Sequence, residues 1–396
     1  MTRIAFTLIG GKSWTGGYNY LLNLLRVITQ RHPGVLQPIL FFGTDVDPDD
    51  ARPFQKMEGI KIVSSPLMNM DQRNSNLLKS LILGAPPAIR RLFQTHRVDV
   101  LFENAQFYGR NIGVPTIAWI PDFQHRELSH LFSRGAWWKR ELGFRAQIHA
   151  GRTIMLSSND ARTSCEHYYP NTRDRTHVVR FAVPPSHVPD ASEIASVIRT
   201  YDLPARYFYL PNQFWQHKNH LLVIDALALL KERGEKVLVV ASGKQLDPYR
   251  PEHFEKIQAR LRSTGVSDQF RMLGLVPYED IAPLMAGSIA LLNPSLFEGW
   301  STTVEEARGL AVPMILSDLP VHREQADGIA RFFDRHSAAA LAETLLSVWD
   351  DPTTLTTTSA SARTALLDPV QRFADDFVTL VERVRMQHIG KSKTSK

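Results

Sequence analysis

Short, almost continuous apolar runs alternate along this chain with longer stretches whose apolar residues recur every three to four positions. The first pattern predicts strands buried on both faces of a sheet, and the second predicts amphipathic helices. In the first half the predicted strands are Arg3–Ile9, Val35–Phe42, Ile60–Val63, Val98–Phe102, Thr116–Ile120 and Thr153–Ser157. The predicted helices are Gly16–Gln30, Ser75–Gln94, Ala136–Ala150 and Asp160–Tyr168, the first with Tyr20, Leu21, Leu24, Leu25 and Ile28 on one face. The pattern stops at Phe181-Ala-Val-Pro-Pro-Ser-His-Val-Pro, where three prolines suit neither period.

A second series follows. Strands are predicted at Tyr207–Leu210, Lys236–Ala241, Phe270–Leu273, Ser288–Leu292, Val312–Ser317 and Ala330–Phe333. Helices are predicted at Leu221–Arg233, Pro251–Thr264, Tyr278–Met285, Thr303–Leu310 and Ala338–Trp349. Two α/β series joined by a proline-rich segment predict twin Rossmann-like domains with a cleft between them, their ligands beyond the carboxyl ends of the strands. The expected division is 1–182, a linker at 183–190, a second domain at 191–368, a helix at 369–388 that returns to the first domain, and a disordered polar tail at 389–396.

Composition adds limits. A chain of 396 residues with 43% hydrophobic and 22% charged residues fits a soluble two-domain protein. One cysteine, Cys165, permits no intrachain disulfide and reads as a buried structural thiol. The first apolar run is too short for a signal peptide, and no run approaches the ~18 residues that span a bilayer. The expected setting is therefore the cytoplasm. The net charge of +6 is uneven, since residues 1–185 carry 23 Lys and Arg against 14 Asp and Glu. That excess fits an anionic acceptor or an anionic membrane at the inner face, or equally an ordinary solvated surface. Trp137-Trp-Lys-Arg-Glu-Leu-Gly-Phe-Arg reads as a membrane contact or as a core helix with one polar face. Nothing suggests a nucleic-acid partner.

The chemistry concentrates in Asn293-Pro-Ser-Leu-Phe-Glu-Gly-Trp-Ser-Thr-Thr-Val-Glu-Glu-Ala, an apolar strand end followed by a turn and a helix start. Thr302 and Glu305 have capping-box spacing. A helix N-terminus presents free N–H groups and a positive dipole end to a diphosphate. Glu298 and Glu306 beside it could accept hydrogen bonds from sugar and ribose diols, or could simply favour the helix dipole. After the first strand of the second series comes Leu210-Pro-Asn-Gln-Phe-Trp-Gln-His-Lys-Asn-His, which places Lys218 near another helix start. Gly16 and Gly17 follow the first strand of the chain, and Trp119-Ile-Pro-Asp-Phe-Gln-His-Arg puts Asp122 and His125 on a loop after another. Asp45 and Asp47 form an Asp-x-Asp that reads as a solvated turn. His32, His125, His217 and His220 lack metal-ligand spacing.

These segments resemble the retaining GT-B glycosyltransferases of family 4. Glu298 and Glu306 match the two acids of that family's E-x7-E motif, with Trp300, Ser301 and Thr303 standing where Phe, Gly and Pro are usual. Lys218 matches the phosphate-binding lysine, while Gln213 stands where an arginine is common, so that either another cation replaces it, Lys244 being a candidate, or phosphate binding is weaker. The resemblance implies that Glu298 contacts the donor sugar, that Glu306 contacts the ribose, and that His125 lies near the transferred sugar. It also implies that Gly16, Gly17, Gln213, Lys218, Ser301, Thr302 and Thr303 line the donor site, with base recognition through backbone near Gly274–Val276. The implied function is retaining, metal-independent transfer of a hexose from a nucleotide-diphosphate sugar to a glycan or lipid-linked acceptor, in bacterial-type surface polysaccharide or glycolipid synthesis. No cofactor and no metal are implied. The alternatives are a sugar-nucleotide 2-epimerase of the same architecture and an inactive sugar-nucleotide-binding protein, the latter suggested by Gln213.

Overall fold

Long stretches of alternating strand and helix place the strands in two separate parallel sheets. The computed structural model describes residues 1–8, 15–104, 106–184, 187–248, 250–355 and 360–394. The chain divides into two compact units, one made of Met1–Phe123, Arg134–Ala182 and Asp368–Lys396, the other of Gln124–Ser133 and Val183–Leu367. Among the described residues no helix is long and apolar enough to cross a membrane.

The sheet of the first unit contains β1 (Thr2–Leu8), β2 (Leu36–Phe42), β3 (Lys61–Ser64), β4 (Val100–Asn104), β5 (Thr116–Trp119), β6 (Thr153–Leu156) and β7 (Thr176–Val178), in the order β3-β2-β1-β4-β5-β6-β7. β1 and β2 pair in register from Thr2–Leu36 to Leu8–Phe42. Behind β1 lies an aromatic cluster. Tyr20 stacks on Trp119 with centroids 3.8 Å apart, and Phe373 and Phe377 of the C-terminal helix Ala360–Thr394 meet Tyr20, Phe181, Phe6 and Phe102. Cys165 is fully buried in the same unit, its thiol pushed up to about 11 by burial.

The sheet of the second unit contains β8 (Phe208–Leu210), β9 (Val239–Ser242), β10 (Phe270–Gly274), β11 (Ala290–Asn293), β12 (Met314–Ser317) and β13 (Ala330–Phe333), in the order β10-β9-β8-β11-β12-β13. Side chains alternate between two cores. Phe208, Leu210, Ala290 and Leu292 enter the core shared with Leu227, Leu341 and Leu345, whereas Tyr209 and Leu291 enter the core shared with Leu284, Val304 and Ala307. Burial on both faces explains why these strands read as unbroken apolar runs. The order reverses between β8 and β11, and such a switch point opens a crevice beyond the carboxyl ends of the strands.

Several sequence expectations need correction. The helix expected at Ser75–Gln94 is two helices, Gln72–Ile82 and Pro87–Thr95. Gly84 sits between them at φ +76°, and Pro86 and Pro87 remove two amide donors. The Asp45–Asp50 stretch is not a plain turn, because Asp47 caps a helix at Pro48–Gln55 and Asp45 accepts from the Met70 N–H at 2.7 Å. Residues 124–133, expected in the first domain, belong to the second unit, where Arg250 donates to the carbonyl of His130. The polar tail is helical through Thr394 rather than disordered. Only one glycine, Gly390, interrupts that stretch, and lysines suit a helix C-terminus. Ser395 and Lys396 lie outside the described residues, as do Pro185 and Ser186 of the expected linker. The helices Ala191–Thr200 and Pro320–Ala326 and the short β7 were not foreseen.

Candidate active site

Two loops meet at the switch point of the second sheet. The loop after β8 carries Lys218 in a short turn, Gln216–Lys218, just ahead of the helix His220–Glu232. The loop after β11 carries Glu298 just ahead of the helix Thr302–Gly309. Lys218 Nζ donates to Glu298 Oε1 at 2.6 Å, and both side chains are largely shielded from solvent. Burial is the largest single influence and raises the Glu298 carboxyl, yet the Lys218 charge and hydrogen bond, with His322 and His217, together outweigh it and hold the group at about 2. His322 also faces Glu298, but burial lowers that imidazole to about 4, so at neutral pH it is uncharged and Lys218 is the effective counter-charge.

Polar side chains fix both loops. Asn219, in the left-handed region at φ +59°, uses both amide protons of Nδ2, one on the carbonyl of Pro294 and one on that of Arg335, each at 3.1 Å. It thereby ties the loops after β8, β11 and β13 together. Asn293, fully buried at the end of β11, donates to Ser301 Oγ at 3.0 Å and Thr303 Oγ1 at 3.2 Å. Its Oδ1 accepts from Asn212 Nδ2 at 3.2 Å and lies 2.7 Å from Ser295 Oγ. The same Ser295 hydroxyl is 2.7 Å from Glu298 Oε1. Ser317 Oγ donates to the Ser295 carbonyl at 2.7 Å.

The expected capping box at Thr302 is absent. Ser301 is the N-cap residue and makes no side-chain cap bond. Instead Gln325 binds the Ser301 backbone twice, accepting from its N–H and donating to its carbonyl, both at 3.0 Å, and also donates to Glu305 Oε1. Glu305 turns to Arg308 as well, at 2.9 Å. The N–H groups of the next residues, Thr302 and Thr303, still face outward along the dipole with no acceptor in their own helix.

Glu306 stands in the second turn of that helix. Among the described residues its side chain makes no hydrogen bond or ion pair, and burial pushes its carboxyl up to about 7. The residue is half-buried, which fits a group beside an opening rather than one sealed in the core. A carboxyl raised in the folded state costs stability as pH climbs from the unfolded value, near 4.5, to about 7, and the cost levels off above that. Glu306→Gln should therefore melt near wild type at pH 4.5 and above it at pH 8. Melting curves across this range check the point, and a constant difference would show that the carboxyl titrates normally.

The remaining candidates separate. Gln213 cannot act as the missing cation; its Oε1 accepts from the Lys244 N–H at 2.7 Å and thereby holds the loop after β9. That loop approaches so closely that a Cβ on Gly243, at φ +148°, would sit 2.5 Å from the Asn212 carbonyl oxygen, so only glycine fits. Lys244 itself is exposed. His125 is not on a loop but on the short helix Gln124–Glu127, fully buried, with Phe132 6.4 Å from its ring. Asp122, in the other unit, pairs with Arg140 at 2.5 Å. Gly16 and Gly17 lie in the first turn of the helix Thr15–Arg31, also in the first unit, and residues 9–14 before it fall outside the described residues. Asn219, Gln325 and His322 carried no signal in the sequence; Asn293 had one, its position at the end of an apolar run.

Residues 201–365 match the family model described as glycosyl transferases group 1. The matched segment is thus similar to the group 1 glycosyltransferases. It contains Gln213, Lys218, Glu298 and Glu306, so the cluster built above lies wholly inside the matched segment. The whole chain has the GT-B fold. A glycosyltransferase from Rickettsia africae ESF-5 superposes with a TM-score of 0.71 at 14% identity, covering 97% of this chain and 98% of that one. Anabaena Alr3699/HepE in complex with UDP and glucose gives 0.68 at 16% identity, with both chains covered completely. Sucrose-phosphate synthase from Thermosynechococcus elongatus gives 0.66 at 15% identity, covering 100% of this chain and 99% of that one. At these identities the likeness concerns the fold; for the matched segment, the family match adds glycosyl transfer as the class of chemistry.

Proposed function

We propose that this chain is a retaining, metal-independent hexosyltransferase that takes its sugar from a nucleoside-diphosphate donor. The observation that carries the reading is the shielded Lys218–Glu298 pair at the switch point, beside the outward N–H groups of the Thr302 helix. An ammonium and a helix N-terminus are suited to a diphosphate, both in the bound donor and as a leaving group gaining charge. In this reading the donor phosphates take Lys218, which frees Glu298 to accept hydrogen bonds from sugar hydroxyls. Glu306 accepts from the ribose, Lys244 adds a second cation at the mouth of the site, and His125 borders the transferred sugar.

The bond from the anomeric carbon to the diphosphate oxygen breaks while the bond to the acceptor oxygen forms on the same face. The acceptor proton passes to the departing phosphate. Lys218 and the backbone N–H groups supply the positive charge for which other transferases use a metal. Glycan or lipid-linked acceptors, in surface polysaccharide or glycolipid synthesis, are assigned to the basic first unit on its charge.

A thermal-shift panel of nucleotides and nucleotide sugars tests the donor, and UDP-glucose comes first because the similar Anabaena protein was solved with UDP and with UDP-glucose. A true ligand at a hundred times its dissociation constant should add ~2.7 kcal/mol of stability. Stabilisation without hydrolysis or transfer of any donor would favour a binding protein over an enzyme. Stabilisation by no nucleotide at all would defeat the donor-site assignment.

A further inference from the structure

The helix Gln72–Ile82 in the first unit is turned inside out. Its inward positions are polar: Asn76 and Ser80 are buried, Asn76 Nδ2 donates to the Leu67 carbonyl at 2.9 Å, and Ser80 Oγ donates to the Asn76 carbonyl at 2.8 Å. Its outward positions are apolar. Leu78, Leu81, Ile82 and Leu83 are 57%, 60%, 70% and 60% exposed, and Leu77 is 40% exposed. Positions 77, 78, 81 and 82 share one helical face, so the side chains form a ridge rather than scattered single residues. Exposed apolar residues are common one at a time, but a contiguous ridge above a buried polar face marks a contact surface.

Charge indicates what it contacts. From residue 72 to residue 97 there are five Lys and Arg and no Asp or Glu, and Lys79, Arg90, Arg91 and Arg97 are exposed. Leucines flanked by lysine and arginine suit the headgroup boundary of an anionic bilayer, where the apolar side chains enter the acyl region and the cations meet lipid phosphates. The usual interfacial helix turns its polar face to water; here the body of the unit covers that face instead. The segment first considered for a membrane, Trp137–Arg145, is less suited. Trp138 and Leu142 are exposed there, but Arg140 pairs with Asp122, and Arg145 pairs at 2.6 Å with the buried Glu141, which also accepts from the Tyr169 hydroxyl.

We infer that the ridge of Leu77, Leu78, Leu81, Ile82 and Leu83 is a docking surface for an anionic lipid bilayer. This goes beyond the transfer reading and does not depend on it, because the readout is partitioning and not turnover. Cosedimentation with vesicles of phosphatidylglycerol and phosphatidylcholine should capture the protein at low salt, capture it less at physiological salt, and capture little on phosphatidylcholine alone. The triple variant Leu78→Ser, Leu81→Ser, Ile82→Ser should partition on the order of a hundredfold more weakly, since each lost side chain removes much of its transfer energy. Its melting temperature should stay at or above that of wild type, because all three positions are exposed. The charge variant Lys79→Glu, Arg90→Glu, Arg91→Glu should lose the salt-sensitive part of binding. The pair Trp138→Ser, Leu142→Ser should keep most of it. The inference is overturned if wild type ignores anionic vesicles at low salt, if the triple variant partitions like wild type, or if the Trp138 and Leu142 pair accounts for the binding. It is also overturned if wild type is a dimer by light scattering and the triple variant is a monomer whose vesicle binding is unchanged, because the ridge is then an interface between copies.

Discussion

Lys218→Ala is expected to lower transfer by about two to three orders of magnitude, the typical loss when one preorganised electrostatic donor is removed from a reacting centre. The effect has two parts. The departing diphosphate loses its ammonium, and the shielded Glu298 loses the partner that holds its carboxyl at about 2. Burial, the largest influence on Glu298 and one that raises it, is then less opposed, so its carboxyl should rise. Affinity for a nucleoside diphosphate should fall roughly tenfold to a hundredfold, the equivalent of one charge-assisted hydrogen bond. Lys218→Arg should recover binding better than turnover, because a broad guanidinium keeps the charge but not its position. Steady-state kinetics with calorimetry on the diphosphate separates these effects. Near-normal turnover in Lys218→Ala would mean that the leaving group is stabilised elsewhere.

Glu298→Gln should behave differently from Glu306→Gln. Without the carboxylate, Lys218 has no competing carboxylate partner among the described residues, so Glu298→Gln should bind a nucleoside diphosphate as tightly as wild type or tighter. Transfer should still fall roughly tenfold to a hundredfold, since the charged acceptor for sugar hydroxyls is gone. Glu306→Gln should instead weaken the nucleoside diphosphate itself. The wild-type carboxyl titrates at about 7, and ribose hydroxyls donate best to the ionised form, so wild-type affinity should rise between pH 6 and pH 8. The glutamine variant should show no such rise. Calorimetry at several pH values, run beside turnover, distinguishes the two residues. Unchanged binding and unchanged turnover in both variants would remove the two glutamates from the site.

Much of this was legible in the residues because a parallel sheet repeats one simple pattern. Each strand is buried on both faces and therefore reads as an apolar run, and ligand-facing loops follow its carboxyl end. Lys218 and Glu298 each follow such a run, so order along the chain was enough to single them out. The supports of those loops were not legible. Gln325 caps Ser301 from 24 positions away, and an isolated glutamine carries no periodic signal. The short helix Pro48–Gln55 was hidden because its prolines and aspartates suggest a turn, although a proline at a first helical position and an aspartate before it also begin helices well. The Ser75–Gln94 stretch looked continuous because apolar residues run through Leu83, while the break depends on the left-handed Gly84. The inverted helix was concealed by the same assumption that revealed the others. Periodicity locates an apolar face, and only packing shows whether that face turns inward.

The contribution of residues 368–394 to the first unit has a consequence for synthesis. Phe6, Tyr20, Phe102 and Phe181 emerge early, but their partners Phe373 and Phe377 emerge almost last. Every segment of the second unit has by then been translated. Domains generally close as units, from the N-terminus onward, as a polypeptide is made. Here that sequence of events is reversed: the later unit can close while the earlier one still waits with an aromatic face uncovered, open to chaperones and to self-association. A nascent chain arrested after Leu367 should accordingly protect residues 183–367 from a protease and leave residues 1–123 open to cleavage.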